Sequence, residues 1–325
     1  MMDSHKDIDV VITWVDGNDP IHKHKMQPYL TQFSHVPDDL AGPTRFRSEG
    51  EIFYCVASIL RFAPFVRTIF LVTDQQNPQL DDFIQENFPE TNVRLQIIDH
   101  TEIFKGIETS LPVFNSISIE SCLYRIPGLS ENFVYFNDDF FLIRPVKDTD
   151  WFFENKAVAY GCWRSIGLDS FLRFIKPQKN GHKPFGYKDS LINASRSIGH
   201  RGKYFYMDHA PQPLKRSIFE RFFAENPDLL VPNVAHRFRN ERQFNPQALF
   251  YLLAFKADEC VMNDRKVALF LKPVGRGDAY VDRKIDAYRQ DDKLKFCCIE
   301  SIDMATNADR ERLFNWLGKL LEIKF

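Results

Sequence analysis

The chain has 325 residues, of which 44% are apolar, so it can bury a large core without help from metals or disulfides. Its 42 Lys and Arg residues are matched by 44 Asp and Glu residues. A protein that binds the phosphate backbone of nucleic acid needs a basic excess, and we therefore expect no nucleic-acid partner.

The cysteines and the N-terminal residues indicate a reducing compartment. The six cysteines are scattered, and the only close pair, Cys297 and Cys298, is adjacent and cannot form a CxxC zinc knuckle. We interpret them as reduced structural thiols. Residues 1–11 contain no apolar signal region, and no run approaches the roughly 18 apolar residues of a membrane span. We therefore predict a cytoplasmic protein.

Four short apolar runs in the first 150 residues are rich in β-branched and aromatic residues, which favours buried strands at this length. Between the first two runs, the apolar spacing over 52–60 predicts a helix that ends near Pro64. Strands that alternate with helices predict an α/β fold with a Rossmann-like, largely parallel sheet. The four predicted strands cover 10–12, 69–72, 95–98 and 133–136.

The later part of the chain has a weaker pattern and a more helical character. Residues 176–202 are rich in Lys, Gly, Asn and Ser and predict a loop or an insertion. Helices are predicted over 246–257 and 305–325. Core packing is the favoured interpretation of the last helix, and peripheral contact with the inner face of the cell membrane is the alternative. The predicted divisions are an α/β core over 1–150, an insertion or loop-rich region over 151–205 and a helical part over 206–325 that completes the site.

Polar residues follow each predicted strand. The ligand crevice of an open α/β sheet lies at the carboxyl ends of its strands, so four runs point to one edge of the sheet. Strands must also end in something polar, and the pattern alone is therefore an architectural indication. The four polar sets are Asp16-Gly17-Asn18-Asp19, Thr73-Asp74, Asp99-His100 and Asn137-Asp138-Asp139.

Several segments resemble the conserved regions of the Stealth family. The first match is long and specific, the second extends over much of the predicted α/β core, and the third is looser. The segments are, in chain order, 7–20 with the sequence DIDVVITWVDGNDP, 45–139 ending in Asn137-Asp138-Asp139, His209-Ala210-Pro211 and 237–250.

The family includes bacterial capsular and cell-surface polysaccharide phosphotransferases and the catalytic region of the lysosomal-enzyme N-acetylglucosamine-1-phosphotransferase. The resemblance implies transfer of a hexose 1-phosphate from a nucleotide sugar, usually a UDP-hexose or UDP-N-acetylhexosamine, to a hydroxyl of a polysaccharide or lipid-linked oligosaccharide. It also implies Mg²⁺ or Mn²⁺, and a nucleotide-sugar-binding core over 1–150 that resembles GT-A-like transferases. Phe53 and Ala57 stand where the family commonly has arginines, so the donor preference of relatives does not transfer directly.

Carboxylates supply the candidate metal site of such a reaction. Asp138 and Asp139 offer hard oxygen ligands at a strand end, which suits Mg²⁺ held by one or two carboxylates and substrate phosphates. The alternative is a solvated turn. Asp16 is the next candidate, with a catalytic role, and Asp19 and Asn137 are candidates for binding the nucleotide-sugar donor; here too the Asp-Gly-Asn sequence is typical of an ordinary turn.

His209 and three arginines are the remaining candidates. The ordinary imidazole pKa lies near 6.5, which suits His209 as the general base that takes the acceptor's proton. Arg45 is a candidate for binding the donor phosphates and Arg239 for the catalytic centre, because a guanidinium matches phosphate geometry. Arg67 lies near a strand start, away from the carboxyl edge of the sheet, and is interpreted as a solvated surface arginine. The run 22–25, His-Lys-His-Lys, is interpreted as a solvated loop.

Two other functions remain open at this point. A glycosyltransferase with the same fold, donor and metal would attack the anomeric carbon and release the nucleoside diphosphate. A catalytically inactive carbohydrate-binding scaffold is compatible with the two missing arginines.

Overall fold

A computed structural model of the protein describes residues 7–31, 48–169, 186–277 and 279–325. Its strands are β1 (Ile8–Thr13), β2 (Thr68–Thr73), β3 (Arg94–Asp99), β4 (Asn132–Asn137), β5 (Phe140–Leu142), β6 (Phe152–Phe153), β7 (Lys156–Ser165), β8 (Lys203–Met207), β9 (Gln212–Lys215), β10 (Cys260–Asn263), β11 (Ala268–Leu271) and β12 (Phe296–Ile299). Its helices are α1 (Pro20–Leu30), α2 (Glu51–Phe62), α3 (Leu80–Asn87), α4 (His100–Ile103), α5 (Ser116–Glu120), α6 (Tyr187–Ser197), α7 (Arg216–Glu225), α8 (Pro227–Val234), α9 (Pro246–Lys256), α10 (Tyr280–Gln290) and α11 (Asn307–Leu321).

The main sheet has the strand order β3-β2-β1-β4-β9. The first four strands are parallel, with Val10 opposite Ile69 on one side and Val134 on the other. All four predicted strands are present, and the predicted α/β fold with a largely parallel sheet is confirmed. The prediction of a buried strand is wrong for β3, which lies at the edge of the sheet and is mostly exposed or half-buried. Every residue of β2 is buried, as expected when both faces of a parallel sheet are covered.

The predicted helices in the first and last parts of the chain are confirmed as α2, α9 and α11. In α2, the buried residues include Ile52, Cys55 and Ile59, which follow the helical period and pack in the main core. The helix ends just before Pro64.

The prediction of a loop over 176–202 is wrong where the structure describes it, because α6 lies there. This helix buries Leu191, Ile192 and Ala194 in the main core. The polar composition of the segment does not indicate a helix, because this short amphipathic helix is stabilised by tertiary packing. The antiparallel strand β9 was also missed, since its QPLK sequence is short and contains a proline.

Two smaller sheets accompany the main sheet, and one of them contains the strand that follows the turn at 137–139. One contains β10, β7 and β6, with β8 paired to β7, and the other has the order β11-β12-β5. Strand β5 begins directly after this turn and pairs antiparallel with β12, where Cys298 lies opposite Phe140. The last sheet thus brings residues near the C-terminus to the end of β4.

The last helix packs on the core. Leu313, Leu317 and Leu321 are buried, and the Trp316 ring meets the Tyr288 ring at 5.4 Å between centroids. Among the helices that the structure describes, none combines the length and apolarity required to span a bilayer.

Arg67 binds the buried carboxylate of Asp9 near the amino-terminal end of β1. Asp9 is 0% exposed, and it accepts hydrogen bonds from Arg67 Nε at 2.9 Å and from the Ser130 backbone N–H at 2.7 Å. The Asp9 hydrogen bond raises the pKa of Arg67. The interpretation of Arg67 as a solvated surface arginine is therefore wrong, because its guanidinium pairs with a buried carboxylate.

We expect Arg67→Ala to lower the free energy of unfolding by about 3 kcal/mol, because it leaves the Asp9 charge buried without its partner. Urea unfolding measures this loss. Arg289→Ala is the matched control, since Arg289 is 67% exposed in its ion pair with Asp286 and should cost at most about 1 kcal/mol. An equal cost in both variants would contradict the role given to Arg67.

Candidate active site

A cavity of about 650 Å³ lies at the carboxyl ends of the parallel strands. Each of the first four strands contributes to its lining: Trp14 follows β1, Asp74 follows β2, His100 follows β3, and residues 137–139 end β4 and follow it. The polar residues after β2, β3 and β4 therefore meet at one edge, as the position of the crevice in open α/β sheets predicts, whereas the polar set after β1 does not line the cavity.

The turn at 137–139 is held from several elements. The Tyr135 hydroxyl donates to Asn137 Oδ1, and the Cys55 thiol of α2 donates to the Asn137 backbone oxygen at 3.7 Å. The Ile299 N–H of β12 donates to the Asp139 backbone oxygen at 3.1 Å. These contacts fix the direction in which the two following carboxylates point.

Asp138 and Asp139 line the cavity, and both residues are half-buried. Burial raises the pKa of Asp138 well above its ordinary value, and the charges of Asp139 and Glu51 add to the effect. Burial, with the charges of Glu300 and Glu51, raises the pKa of Asp139 to about 7. Close carboxylates that are costly to ionise together are stabilised by a cation between them.

The donor set of this turn fits a divalent cation. The buried Asp139 Oδ1 makes no hydrogen bond within the described residues, so it is available as a ligand. No group of three or more His, Cys, Asp or Glu residues arranged to hold a metal exists in the described part of the chain. Two carboxylates still suffice for Mg²⁺ or Mn²⁺ when substrate phosphates and water supply the other ligands.

His209 lies in the loop between β8 and β9 and lines the same cavity. Gln212 Nε2 donates to the backbone oxygens of Asp208 and Ala210, which fixes this loop. The imidazole lies 4.7 Å from the Phe270 ring and 5.5 Å from the Tyr187 ring, measured between centroids. Burial lowers the pKa of His209, so the imidazole is neutral at neutral pH and can accept a proton.

Arg239 lines the cavity from the segment between α8 and α9. Its Nη2 donates to Ser116 Oγ at 2.9 Å. Burial lowers the pKa of Arg239, and the nearby charge of Glu120 opposes that shift. The buried Asn115 amide ties this segment in place through the backbone oxygen of Phe238 at 3.1 Å.

Asp16 and Asp19 are not among the residues that line this cavity. Asp16 Oδ1 accepts from the Asn18 N–H at 2.8 Å, and Asp19 Oδ1 accepts from the Ile21 N–H at 2.8 Å as the cap of α1. Both carboxylates shape the turn after β1, and their roles in catalysis and donor binding stay predictions. Arg45 lies outside the described residues.

The prediction of a solvated loop over 22–25 is wrong. This run lies in α1, and His22 is 4% exposed, lines the cavity and meets the Phe114 ring at 5.4 Å. An Asp cap followed by Pro at the first helical position is the signal that could have identified the helix.

The cavity also contains residues to which the sequence assigned no role. Burial lowers the pKa of the cavity residue His100 to about 4, against the opposing charge of Asp74. Glu51 begins α2, and Glu300, which follows β12, pairs with Lys272. The polar residues after β2 and β3 gave a signal for Asp74 and His100, whereas Glu300 reaches the site only through the pairing of β12 with β5.

Two family models and many relatives match this chain. Residues 6–34 match Stealth protein CR1, conserved region 1, and residues 45–160 match Stealth protein CR2, conserved region 2. The capsular polysaccharide phosphotransferase WcwK of Streptococcus pneumoniae is 34% identical over 81% of this chain and 82% of its own length. The chain belongs to the Stealth family. The receptor polysaccharide phosphotransferase WefC of Streptococcus oralis is 33% identical over the same shares, and a capsular polysaccharide phosphotransferase of Actinobacillus suis is 41% identical over 74% of this chain and 61% of its own.

The solved structures that resemble this Stealth protein are distant. LgtC, a galactosyltransferase solved with donor and acceptor sugar analogues, covers 98% of this chain and 96% of its own, with 11% identity and a TM-score of 0.48. The relatives named above are polysaccharide phosphotransferases, and they support a transferase activity for the Stealth protein.

Asp139→Asn should stabilise this Stealth protein above neutral pH when divalent ions are absent. The folded-state pKa of Asp139, about 7, is raised above the ordinary value of 3.8. Ionising Asp139 therefore costs more free energy in the folded state than in the unfolded state. This cost is absent below about pH 4 and grows as the pH rises to about 7. We expect the variant to gain about 1–3 kcal/mol at about pH 8 and nothing below about pH 4. Urea unfolding across this pH range measures the difference.

The matched control for this measurement is Asp82→Asn, because Asp82 is an exposed carboxylate on α3. It should give no gain at about pH 8. A wild-type protein that is as stable as Asp139→Asn at every pH would contradict the raised pKa.

Proposed function

We propose that this protein transfers a sugar 1-phosphate from a nucleotide sugar to a hydroxyl of a capsular or cell-surface polysaccharide. The donor is a UDP-hexose or UDP-N-acetylhexosamine, and the acceptor is the polysaccharide or a lipid-linked oligosaccharide precursor. The observation that carries the proposal is a cavity in which a neutral His209 and the paired carboxylates of Asp138 and Asp139 occur together, in a chain from a family of polysaccharide phosphotransferases.

Asp138 and Asp139 hold the divalent cation, which when bound neutralises the charge of the donor diphosphate. The two carboxylates alone would repel that diphosphate. Their raised pKa values show how costly their own ionisation is, and this cost favours occupation by a cation.

His209 is the general base. The acceptor hydroxyl oxygen forms a bond to the β-phosphorus of the donor, and the bond from that phosphorus to the bridging oxygen breaks. His209 takes the hydroxyl proton, and the bridging oxygen leaves with the nucleoside monophosphate. The nearby charges of Glu300 and Asp208 stabilise the imidazolium that forms. A phosphate leaving group with a pKa of about 6 needs little acid assistance.

Arg239 supplies positive charge on the wall of the cavity. Its contact with Ser116 and the attraction of Glu120 keep the guanidinium oriented. We assign to Arg239 the binding of the transferring phosphoryl group, because a fixed cation stabilises the negative charge that develops during the transfer. Asn137 and Arg45 complete the donor site in this proposal.

The reaction belongs in the cytoplasm, at the inner face of the cell membrane when the acceptor is lipid-linked. All six cysteines are free thiols in the structure, which fits a reducing compartment. The donor and the acceptor then meet on the same side of the membrane.

The experiment that tests the proposal identifies the nucleotide product. The purified protein is incubated with Mg²⁺, an acceptor glycan and a panel of UDP-sugars, and the released nucleotide is identified by mass spectrometry. Release of UMP with a phosphate-bridged product supports the proposal. Release of UDP would assign the protein to glycosyl transfer, and glycan binding without any turnover would identify it as a scaffold.

A further inference from the structure

A buried thiol touches one of the two carboxylates of the cavity. Cys298 lies on β12, is 1% exposed and lines the cavity with its remaining surface. Its Sγ donates to Asp139 Oδ2 at 3.8 Å, while the buried Asp139 Oδ1 makes no hydrogen bond within the described residues. The two oxygens of one carboxylate thus have different environments.

The register of β12 produces this contact. Cys298 lies opposite Phe140, the residue after Asp139, and the next residue, Ile299, donates its N–H to the Asp139 backbone oxygen at 3.1 Å. One strand therefore holds residue 139 at its backbone and at its side chain. Cys297, one position earlier, points to the opposite face of the strand and lies opposite Phe141.

We propose that Cys298 is a positioning residue for the phosphotransfer reaction: its thiol holds Asp139 through Oδ2 and leaves Oδ1 free to bind the divalent cation. This inference rests on the proposed function, in which Asp139 is a cation ligand. Residues that orient a metal ligand in this way change metal affinity by about 10- to 100-fold when they are removed. A thiol is a weak donor, so the lower end of this range applies.

The test is the affinity of the purified protein for Mn²⁺, measured by isothermal titration calorimetry at saturating UDP, which supplies the phosphate ligands, and without acceptor. We expect Cys298→Ala to raise the Mn²⁺ dissociation constant about tenfold. Cys298→Ser keeps a donor on the same Cβ and should recover part of this loss. Cys297→Ala is the matched control, because Cys297 is equally buried on the same strand, and it should stay within about twofold of the wild type.

The possible outcomes separate this inference from the proposed function. Equal Mn²⁺ affinity in the wild type and Cys298→Ala would overturn the inference and leave phosphotransfer standing. Equal losses in Cys297→Ala and Cys298→Ala would overturn it too, because they would indicate a general effect on the packing of β12. A wild-type protein that does not bind Mn²⁺ refutes both the inference and the cation in the proposed function. Release of UDP with Cys298-dependent Mn²⁺ binding would refute phosphotransfer alone. If Cys298→Ala does not fold, Cys298→Ser must bind Mn²⁺ more weakly than the wild type.

Discussion

Asp138→Asn should lower kcat by about 10³-fold at saturating Mg²⁺. The substitution keeps the size of the side chain and removes the charge that attracts the cation. Fixed charges and dipoles that stabilise a transferring phosphoryl group act in a low-dielectric cavity, where the loss of one such contact costs about 10²–10³-fold. We expect the loss of kcat for Asp138→Asn at the upper end of this range, because burial and the charges of Asp139 and Glu51 all act on the Asp138 carboxylate.

Initial rates of the released nucleotide measure this effect, and urea unfolding checks that the variant is folded. Asp82→Asn is again the control, since Asp82 is exposed and absent from the lining of the cavity. A kcat of Asp138→Asn within about tenfold of the wild type would remove this carboxylate from the cation site. If the protein were a scaffold, glycan binding would persist unchanged in this variant.

His209→Ala should lower kcat by about 10²-fold or more, the usual scale for loss of a general base. Donor binding should be nearly unchanged, because the imidazole is assigned to the acceptor's proton. In the wild type, kcat/KM should fall as the pH drops through the pKa of His209, which burial lowers below 6.5. This fall of kcat/KM at acidic pH, the acidic limb of the pH profile, should be absent from His209→Ala.

The measurements are kcat, the donor dissociation constant and the dependence of kcat/KM on pH. His200→Ala is the matched control, because His200 is exposed, contacts the Trp163 ring and does not line the cavity. Unaltered turnover in His209→Ala, or an acidic limb that the variant retains, would exclude His209 as the base.

The parallel core of the fold could be predicted because its strands are encoded locally. Short runs of β-branched and aromatic residues mark β1 to β4, and the polar residues that follow them mark the edge where the cavity opens. The DGNDP turn after β1 and the NDD turn after β4 are also local features. For the same reason, the resemblance to the Stealth family was strongest in this part of the chain.

The rest of the cavity depends on pairings between distant residues. Cys298 and Glu300 reach the turn at 137–139 because β12 pairs with β5, about 150 residues away in the chain. No local pattern specifies that register. The position of Arg239 depends in the same way on a distant residue, because the buried amide of Asn115 holds the segment between α8 and α9. Short elements with polar sequences, such as α6 and β9, form because the core stabilises them.

The most direct test of the central claim follows the β-phosphorus of the donor. The UDP-sugar that supports turnover is prepared with a radioactive label on its β-phosphate and incubated with the protein, Mg²⁺ and the acceptor glycan. Sugar-1-phosphate transfer predicts that the label moves to the glycan and that the released UMP is unlabelled. Label that stays on released UDP, with none in the glycan, would contradict phosphotransfer.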